Sequence, residues 1–170
     1  MKKIYESVEI FCVAFVAVII TVLFLFRVIV VDGDSMQDTL HSGEKVVVYS
    51  LFYTPKNGDI VVTDSRNSYG KPLIKRVIAT GGDRIRIDYS TGNVYVNDVL
   101  LNEDYIKEKI NPSDREDIDM LIPQGFVFLM GDNRNNSYDS RYPEIGPVKV
   151  GDVLGKAVFR ISPISEIGFL

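Results

Sequence analysis

The chain has 170 residues, a formal net charge of −4, one histidine and one cysteine. The acidic balance and the lack of an arginine-rich run argue against nucleic acid as a partner, because binding to nucleic acid depends on clustered basic side chains. The single cysteine, Cys12, excludes a disulfide framework, and His41 alone is too little for a zinc site. No loop has the oxygen-ligand spacing of a calcium site. The sequence therefore predicts neither a metal nor a cofactor.

Residues 1–31 are predicted to form a membrane anchor, with a spanning helix over about 8–27. Residues 10–26 are apolar apart from Thr21 and carry no charge. That is the short end of the length that a membrane-spanning helix needs. Arg27 follows this run, and a long basic side chain at that point can extend to the membrane interface.

A cleavable secretory signal is the alternative interpretation of this segment. Lys2 and Lys3 would then form its basic region, but residues 27–32 lack the small side chains of a cleavage site. The sequence favours an uncleaved anchor in a lipid bilayer. The two lysines ahead of the span favour a cytoplasmic N-terminus, with the remainder of the chain on the outer face of the cell membrane.

Residues 32–170 are predicted to be one mainly β domain, built from antiparallel strands as coiled sheets or a barrel. Turn residues separate short apolar runs throughout this region. The predicted strands cover 46–49, 59–63, 73–80, 84–89, 93–96, 126–130 and 153–160. The fourth and fifth of these are expected to form a hairpin, followed by a tight turn at Asn97-Asp98. The polar segment 102–120 is expected to be a surface excursion.

Lys75 lies inside an apolar run that predicts a buried strand. Because strand side chains alternate between faces, Lys75 should face one way and Arg76 the other. The apolar residues expected on the Lys75 face are Leu73, Val77 and Ala79. A lysine on an apolar face is costly unless it is paired or neutral.

Lys75 is the candidate general base. Accepting a proton near neutral pH requires its pKa to fall by roughly two to three units, or about 3–4 kcal/mol. Burial acts in that direction, and the adjacent cation Arg76 is expected to add to it. The alternative is a structural lysine that meets a carboxylate such as Asp59 or Asp132.

Ser35 is the candidate nucleophile, in a polar loop over residues 32–40. A serine nucleophile needs a base. His41 is six residues on, in a predicted turn, and is interpreted as an exposed loop residue. Lys75 is therefore favoured as the base.

Three neighbours of Ser35 are candidates for oxyanion and substrate binding, namely Gly33, Asp34 and Met36. Gly33 allows close approach of the backbone to a substrate and exposes amide donors. Met36 is the one residue assigned to a pocket wall.

The polar loop 131–141 follows a fully apolar strand and is dense in hydrogen-bonding groups. Such a loop is able to hold a catalytic pair rigid, although it is also compatible with an ordinary polar turn. Ser137 is predicted to hydrogen-bond the Lys75 amine. Two ion pairs are predicted to fix the loop, Asp139 with Arg141 and Asp132 with Arg76.

Together these segments, in this order, resemble the bacterial type I signal peptidase family. The resemblance is carried by Ser35-Met36 ahead of Thr39-Leu40, by Asn57–Val61, by Lys75–Ala79 with Gly81–Asp83, and by Gly131–Arg141. It implies a serine endopeptidase that cleaves signal peptides, with small residues at the cleavage site, from exported preproteins. It also implies that Ser35 is the nucleophile and Lys75 the general base. Ser137 then resembles the hydroxyl that orients the lysine, within a supporting shell of Arg76, Asp132, Asp139 and Arg141.

Two positions depart from the family pattern. Asp38 stands where the first motif usually has proline, and Gly33 stands where some members have a hydroxyl that serves the oxyanion. The short segment 102–120 resembles that of compact Gram-positive-like members.

Two rival functions remain open from the sequence. One is a self-cleaving serine–lysine protease of the repressor type, which needs a cleavable linker where this chain has an apolar segment. The other is a membrane-anchored binding module of the same fold without catalytic activity.

Overall fold

The computed structural model describes residues 2–170 as one apolar helix followed by a mainly β region. Helix α1 covers Lys2–Leu25. The strands are β1 Phe26–Val30, β2 Lys45–Tyr49, β3 Ile60–Thr63, β4 Leu73–Thr80, β5 Arg84–Asp88, β6 Asn93–Val96, β7 Val99–Leu100, β8 Ile118–Leu121, β9 Phe126–Met130, β10 Val148–Lys149, β11 Val153–Ser162 and β12 Gly168–Phe169. The predicted fold class, mainly antiparallel β after one N-terminal helix, is confirmed.

The strands form two sheets, and each neighbouring pair of named strands is antiparallel. The larger sheet has the order β1-β2-β11-β3-β4-β9-β10, with β12 added to β11, and it curls into a half-barrel. The smaller sheet has the order β7-β6-β5-β8. The predicted hairpin is the β5–β6 pair, with Ile85 opposite Val96. Asn97 and Asp98 both have positive φ angles in the turn between β6 and β7, as a type I′ hairpin turn requires.

Helix α1 is exposed from Ile4 to Thr21, and this 18-residue window is apolar and long enough to cross a membrane. The helix ends at Leu25, two residues before the predicted end of the span. Residues 26–30 form β1 instead, with Phe26 opposite Tyr49 on β2. Valine and isoleucine favour strands when a partner supplies the backbone hydrogen bonds, and an unbroken apolar run does not distinguish strand from helix. The larger sheet therefore begins immediately after the helix.

The predicted surface excursion over 102–120 is exposed over residues 111–117, but the expectation was wrong for Ile110 and for Ile118, where β8 begins. Ile110 is 5% exposed and joins the core beneath the smaller sheet. Ile118 pairs with Ile87 of β5, so the chain returns to the sheet before residue 120. These isolated apolar residues among charged ones gave little periodic signal, yet the smaller sheet needs them to cover its inner face.

Strand β4 carries Lys75 and connects two of the three core clusters. Val77 packs in the cluster that contains Val61 and Leu129, as the expected alternation requires. The register with β9 shifts between Val77 and Ala79, and Ala79 packs with Ile78 in the cluster beneath the smaller sheet. The prediction that Ala79 shares the Lys75 face was therefore wrong, because a bulge breaks the alternation.

Candidate active site

Ser35 and Lys75 meet where the loop after β1 approaches β4. Lys75 Nζ lies 2.7 Å from Ser35 Oγ and 3.0 Å from the carbonyl oxygen of Ile74, at hydrogen-bonding distance from both. The lysine is 4% exposed, whereas Ser35 remains half-buried. The two predicted catalytic residues are thus in direct contact although 40 positions separate them in sequence.

Burial lowers the pKa of Lys75 from its ordinary value of 10.5 to about 8. The carboxylates of Asp139 and Asp132 act against this shift by favouring the ammonium form, and the cation of Arg141 adds to it. Arg76, the cation expected to assist, instead points to Asp132, with Arg76 Nε 2.9 Å from Asp132 Oδ1. Strand alternation explains the difference, since neighbours on a strand face opposite sides.

Asp139 is the centre of the predicted ion-pair loop. Its carboxylate is fully buried and accepts hydrogen bonds from Arg141 Nε at 2.8 Å, Ser137 Oγ at 2.7 Å and the Gly131 amide at 2.9 Å. Burial opposes ionisation of this group, but the Arg141 guanidinium and the other donors outweigh it and hold the pKa of Asp139 below its usual range. A charged carboxylate therefore stands close to Lys75.

Ser137 does not form the hydrogen bond predicted for it. Among the described residues, the Lys75 amine bonds to Ser35 and Ile74, while the Ser137 hydroxyl donates to Asp139. A nearby carboxylate is the stronger acceptor for a serine hydroxyl, because charge-assisted hydrogen bonds exceed neutral ones. Ser137 nevertheless lies beside the nucleophile loop, since it and Ser35 both contact Gly131.

Asp132 ties the nucleophile loop to β4 and to the polar loop. It forms the predicted ion pair with Arg76, whose Nη2 is 2.6 Å from Asp132 Oδ2. Thr39 Oγ1 also donates to Oδ2 at 2.6 Å. Asn133 adds two bonds to the same loop, from its amide to the Ser35 carbonyl at 3.0 Å and from Nδ2 to the Asp34 carbonyl at 3.0 Å. The sequence predicted no role for Thr39 or Asn133, although both lie in the motifs that carried the resemblance.

Gly131 has no room for a side chain. A Cβ atom there would lie 2.3 Å from Ser137 Oγ and 2.4 Å from the Ser35 carbonyl oxygen. A real Cβ atom essentially never makes non-bonded contacts this short, so only glycine allows the two loops to approach so closely.

The three residues predicted to bind the oxyanion or substrate differ in their surroundings. Gly33 is exposed with φ of +87°, and its amide donates to Ser42 Oγ at 3.2 Å. Asp34 is exposed and accepts a bond from Gln37. Met36 is 1% exposed and packs in the core with Leu40, so its side chain is not an open pocket wall in this structure. A packed side chain beneath the loop fixes the position of Ser35 instead.

His41 is exposed, as predicted, and lies 3.4 Å from Glu44. Together with Glu166 it forms the one group, among the described residues, of three potential metal ligands within 4.8 Å of one another. Arg160 Nη1 already lies 3.0 Å from a carboxylate oxygen of Glu44 and of Glu166. A guanidinium therefore neutralises this group without a metal ion.

Comparison with known proteins gives the family. A family model described as signal peptidase, peptidase S26, matches residues 4–162. The chain belongs to this family. Signal peptidase I of Bacillus licheniformis is 32% identical over 98% of this chain and 92% of its own length. The resemblance inferred from the ordered motifs is confirmed.

Other members of the signal peptidase family differ in length. Thylakoidal processing peptidase 1 of Arabidopsis thaliana is 32% identical over 91% of this chain, and the chain spans only 48% of that protein's length. The chain thus spans about half the length of two plant relatives. A crystal structure of a signal peptidase I from Enterococcus faecalis V583 is 30% identical, covers 61% of this chain and 97% of its own, and has a TM-score of 0.49.

Proposed function

We propose that this chain is a membrane-anchored serine endopeptidase that removes signal peptides from exported preproteins. The observation that carries the proposal is the 2.7 Å contact between Lys75 Nζ and Ser35 Oγ, with the amine buried and its pKa lowered to about 8. A serine becomes a nucleophile when a base within hydrogen-bonding distance accepts its proton, and this lysine is neutral in a useful fraction of molecules near neutral pH.

The first step forms an acyl-enzyme. Neutral Lys75 accepts the hydroxyl proton of Ser35 as Oγ attacks the carbonyl carbon of the scissile bond. The carbonyl of Ile74, 3.0 Å from Nζ, accepts one of the amine hydrogens and so leaves the lone pair free to point towards Oγ. The resulting ammonium ion then protonates the leaving amine, and the C–N bond breaks.

The second step releases the acyl group. Lys75, neutral again, accepts a proton from a water molecule that attacks the ester carbonyl, and the ammonium ion returns the proton to Ser35 Oγ. The carboxylate of Asp139 stabilises each ammonium intermediate, and Arg141 keeps that carboxylate in position through two hydrogen bonds of 2.8 Å.

Backbone amides beside the nucleophile are the proposed oxyanion donors. Among the described residues no acceptor is bound to the Ser35 amide, which leaves it available to the oxyanion. The Gly33 amide is occupied by Ser42, and the positive φ at Gly33 disfavours any side chain there. The oxyanion hole therefore depends mainly on the backbone amide of Ser35.

Unpaired backbone of the protein lies beside Ser35 and Lys75, where an extended substrate is able to bind. Residues 31–33, the position expected for an added strand, directly precede the nucleophile loop residue Ser35. Strand β4 pairs with β9 only from Arg76 onward. Residues 73–75 of β4 therefore present an edge without a strand partner among the described residues on that side. Strand addition at such an edge would bring the scissile bond to Ser35.

Helix α1 supplies the proposed location in the cell membrane. We infer a single span with the N-terminus in the cytoplasm and the β region on the outer face, where signal peptides emerge. Phe26 to Ser35 is nine residues, a reach of roughly 30 Å when fully extended. The nucleophile would then work close to the bilayer surface.

Cleavage of a preprotein with small residues at its cleavage site, by the full chain in mild detergent, tests this proposal. Ser35→Ala and Lys75→Arg should both reduce the rate to background, since arginine stays charged and is unable to accept a proton. Ser68→Ala and Lys71→Ala are matched controls, because both residues are exposed in the connection between β3 and β4.

Two outcomes would count against the proposal. An active Lys75→Arg variant would remove lysine from the role of base. Wild type that stays folded but inert from neutral to alkaline pH would favour the non-catalytic binding module.

A further inference from the structure

A small cavity is lined in part by Arg141, the ion-pair partner of Asp139. Its volume is about 130 Å³, and its walls include three arginines, Arg115, Arg134 and Arg141, together with Tyr89. One wall belongs to the polar loop, and the opposite wall to the segment around Ser113 that precedes β8. The mechanism proposed above uses only Arg141 of these residues.

The two walls are connected by specific contacts. The Asn111 amide donates to Asn135 Oδ1 at 2.8 Å, and Arg115 Nη2 donates to the carbonyl of Arg141 at 3.3 Å. The Arg115 guanidinium also lies over the rings of Tyr89 and Tyr142, at 4.8 and 5.1 Å from their centroids. The walls of the cavity are therefore held in position by hydrogen bonds and ring contacts between them.

Three buried polar atoms of residues that line the cavity have no hydrogen-bond partner among the described residues, namely Tyr89 Oη, Arg134 Nη1 and Arg134 Nη2. Tyr89 is 1% exposed and Arg134 is 2% exposed. Arg134 Nη2 lies 2.5 Å from Glu103 Oε1, an ion pair whose alignment falls short of a hydrogen bond. Buried donors are normally satisfied in folded proteins, so Tyr89 Oη and Arg134 Nη1 indicate a missing acceptor.

The net charge of the residues that line the cavity is positive, which favours a negatively charged hydrogen-bond acceptor. Arg141 is paired with Asp139, and Arg134 with Glu103. Arg115 has no carboxylate within ion-pair distance among the described residues, and the nearby Asp117 instead accepts a bond from the Tyr89 amide. Burial raises the pKa of Tyr89, which keeps its hydroxyl a donor at neutral pH.

We propose that this cavity binds a small oxyanion of the phosphate class, held by Arg115, Arg134 Nη1 and the Tyr89 hydroxyl. A volume of about 130 Å³ has room for one such ion. Guanidinium and hydroxyl donors make charge-assisted hydrogen bonds to an oxyanion, and two of these donors, on Arg134 and Tyr89, are buried while Arg115 is exposed. The ion would join the segment around Ser113 to the loop that carries Arg141, and this binding does not depend on peptidase activity.

Thermal unfolding of the full chain in detergent, titrated with inorganic phosphate, tests the site, with chloride at matched ionic strength as reference. Phosphate at ten times its dissociation constant should raise the Tm by roughly 3 to 6 °C beyond chloride. Arg115→Gln should weaken phosphate binding roughly tenfold or more. Arg86→Gln is the matched control, because Arg86 also stacks on a tyrosine ring, at 3.8 Å from the Tyr95 centroid, but does not line the cavity.

Tyr89→Phe gives a second test that distinguishes an oxyanion from water. In chloride the variant should be as stable as wild type or more stable, since it removes a buried hydroxyl without a partner. In phosphate it should gain less stability than wild type, because one donor to the ion is lost. The proposal is overturned if phosphate stabilises no more than chloride, or if the phosphate effect is unchanged in both Arg115→Gln and Tyr89→Phe.

Discussion

Thr39 Oγ1 donates a hydrogen bond of 2.6 Å to Asp132 Oδ2, and this bond joins the loop that carries the candidate nucleophile to the loop that carries Asp139. Asp132 is fully buried and also holds Arg76. The loop around Ser35 therefore has a fixed attachment four residues after the nucleophile. This attachment stands directly beside Asp38, where the family motif usually has proline.

Thr39→Val tests that attachment, because valine keeps the shape of threonine and removes the hydroxyl. Asp132 would lose one buried hydrogen bond to a charged group, so the free energy of unfolding should fall by about 1–3 kcal/mol. The kcat for preprotein cleavage should fall as well, since Ser35 is positioned less firmly. Thr54→Val, at an exposed threonine, is the control. Equal stability and kcat in the two variants would show that the Thr39 bond is dispensable.

Gly131→Ala should disrupt the site through crowding. The added Cβ would meet Ser137 Oγ and the Ser35 carbonyl at less than van der Waals distance, so either loop must move. Overpacking of this kind costs about 1–3 kcal/mol, and here it displaces the nucleophile directly. Gly151→Ala is the control, because a Cβ at Gly151 meets no atom within 4 Å. Chemical denaturation and cleavage rate measure the two effects, and wild-type behaviour of Gly131→Ala would contradict the packing described.

Asp139→Asn should change the pH dependence of cleavage in a defined direction. The Asp139 carboxylate raises the pKa of Lys75, so its removal lowers that pKa and moves the rise of activity to a pH below about 8. The same change leaves Arg141 buried without its ion-pair partner, which destabilises the fold by roughly 3–5 kcal/mol. Asp98→Asn, in the exposed turn after β6, is the control. A profile at the wild-type position would mean that Asp139 does not act on Lys75.

Lys75→Met should reveal the free energy spent on burying the amine. The folded-state pKa of about 8 lies below the ordinary value of 10.5, so the unfolded chain binds the proton more tightly. Below pH 8 the buried lysine costs about 3 kcal/mol, and this cost disappears as pH rises to 10.5. The stability of wild type relative to Lys75→Met should therefore increase over that range. Lys71→Met, at an exposed lysine, should show no such trend.

The sequence predicted much of the fold because alternation and turn residues are local signals. It placed β4, β6 and β9 at their observed bounds. It missed β1, because an apolar run after a helix has no distinguishing period, and it missed β8, because its few apolar residues lie among charges. Which element such a run joins depends on a partner strand that is distant in sequence.

The site was predicted less completely, because side-chain partners depend on three-dimensional neighbours. Ser35 and Lys75 were paired in advance from the chemistry that a serine requires. The hydrogen bond of Ser137 to Asp139 and the attachment through Thr39 were not, since both depend on where a buried carboxylate lies. The cation that helps to lower the pKa of Lys75 is Arg141 and not the predicted Arg76, because Arg76 faces the opposite side of β4.

The pH profile of kcat/KM for preprotein cleavage by the full chain tests the role of Lys75 most directly. Activity should rise with pH and have an apparent pKa near 8, the value that burial gives to the Lys75 amine. This rise of activity with pH should be absent in Lys75→Arg, which should show no cleavage at any pH. A wild-type rate that is independent of pH through this range, or one that falls as pH rises, would contradict a neutral lysine as the base.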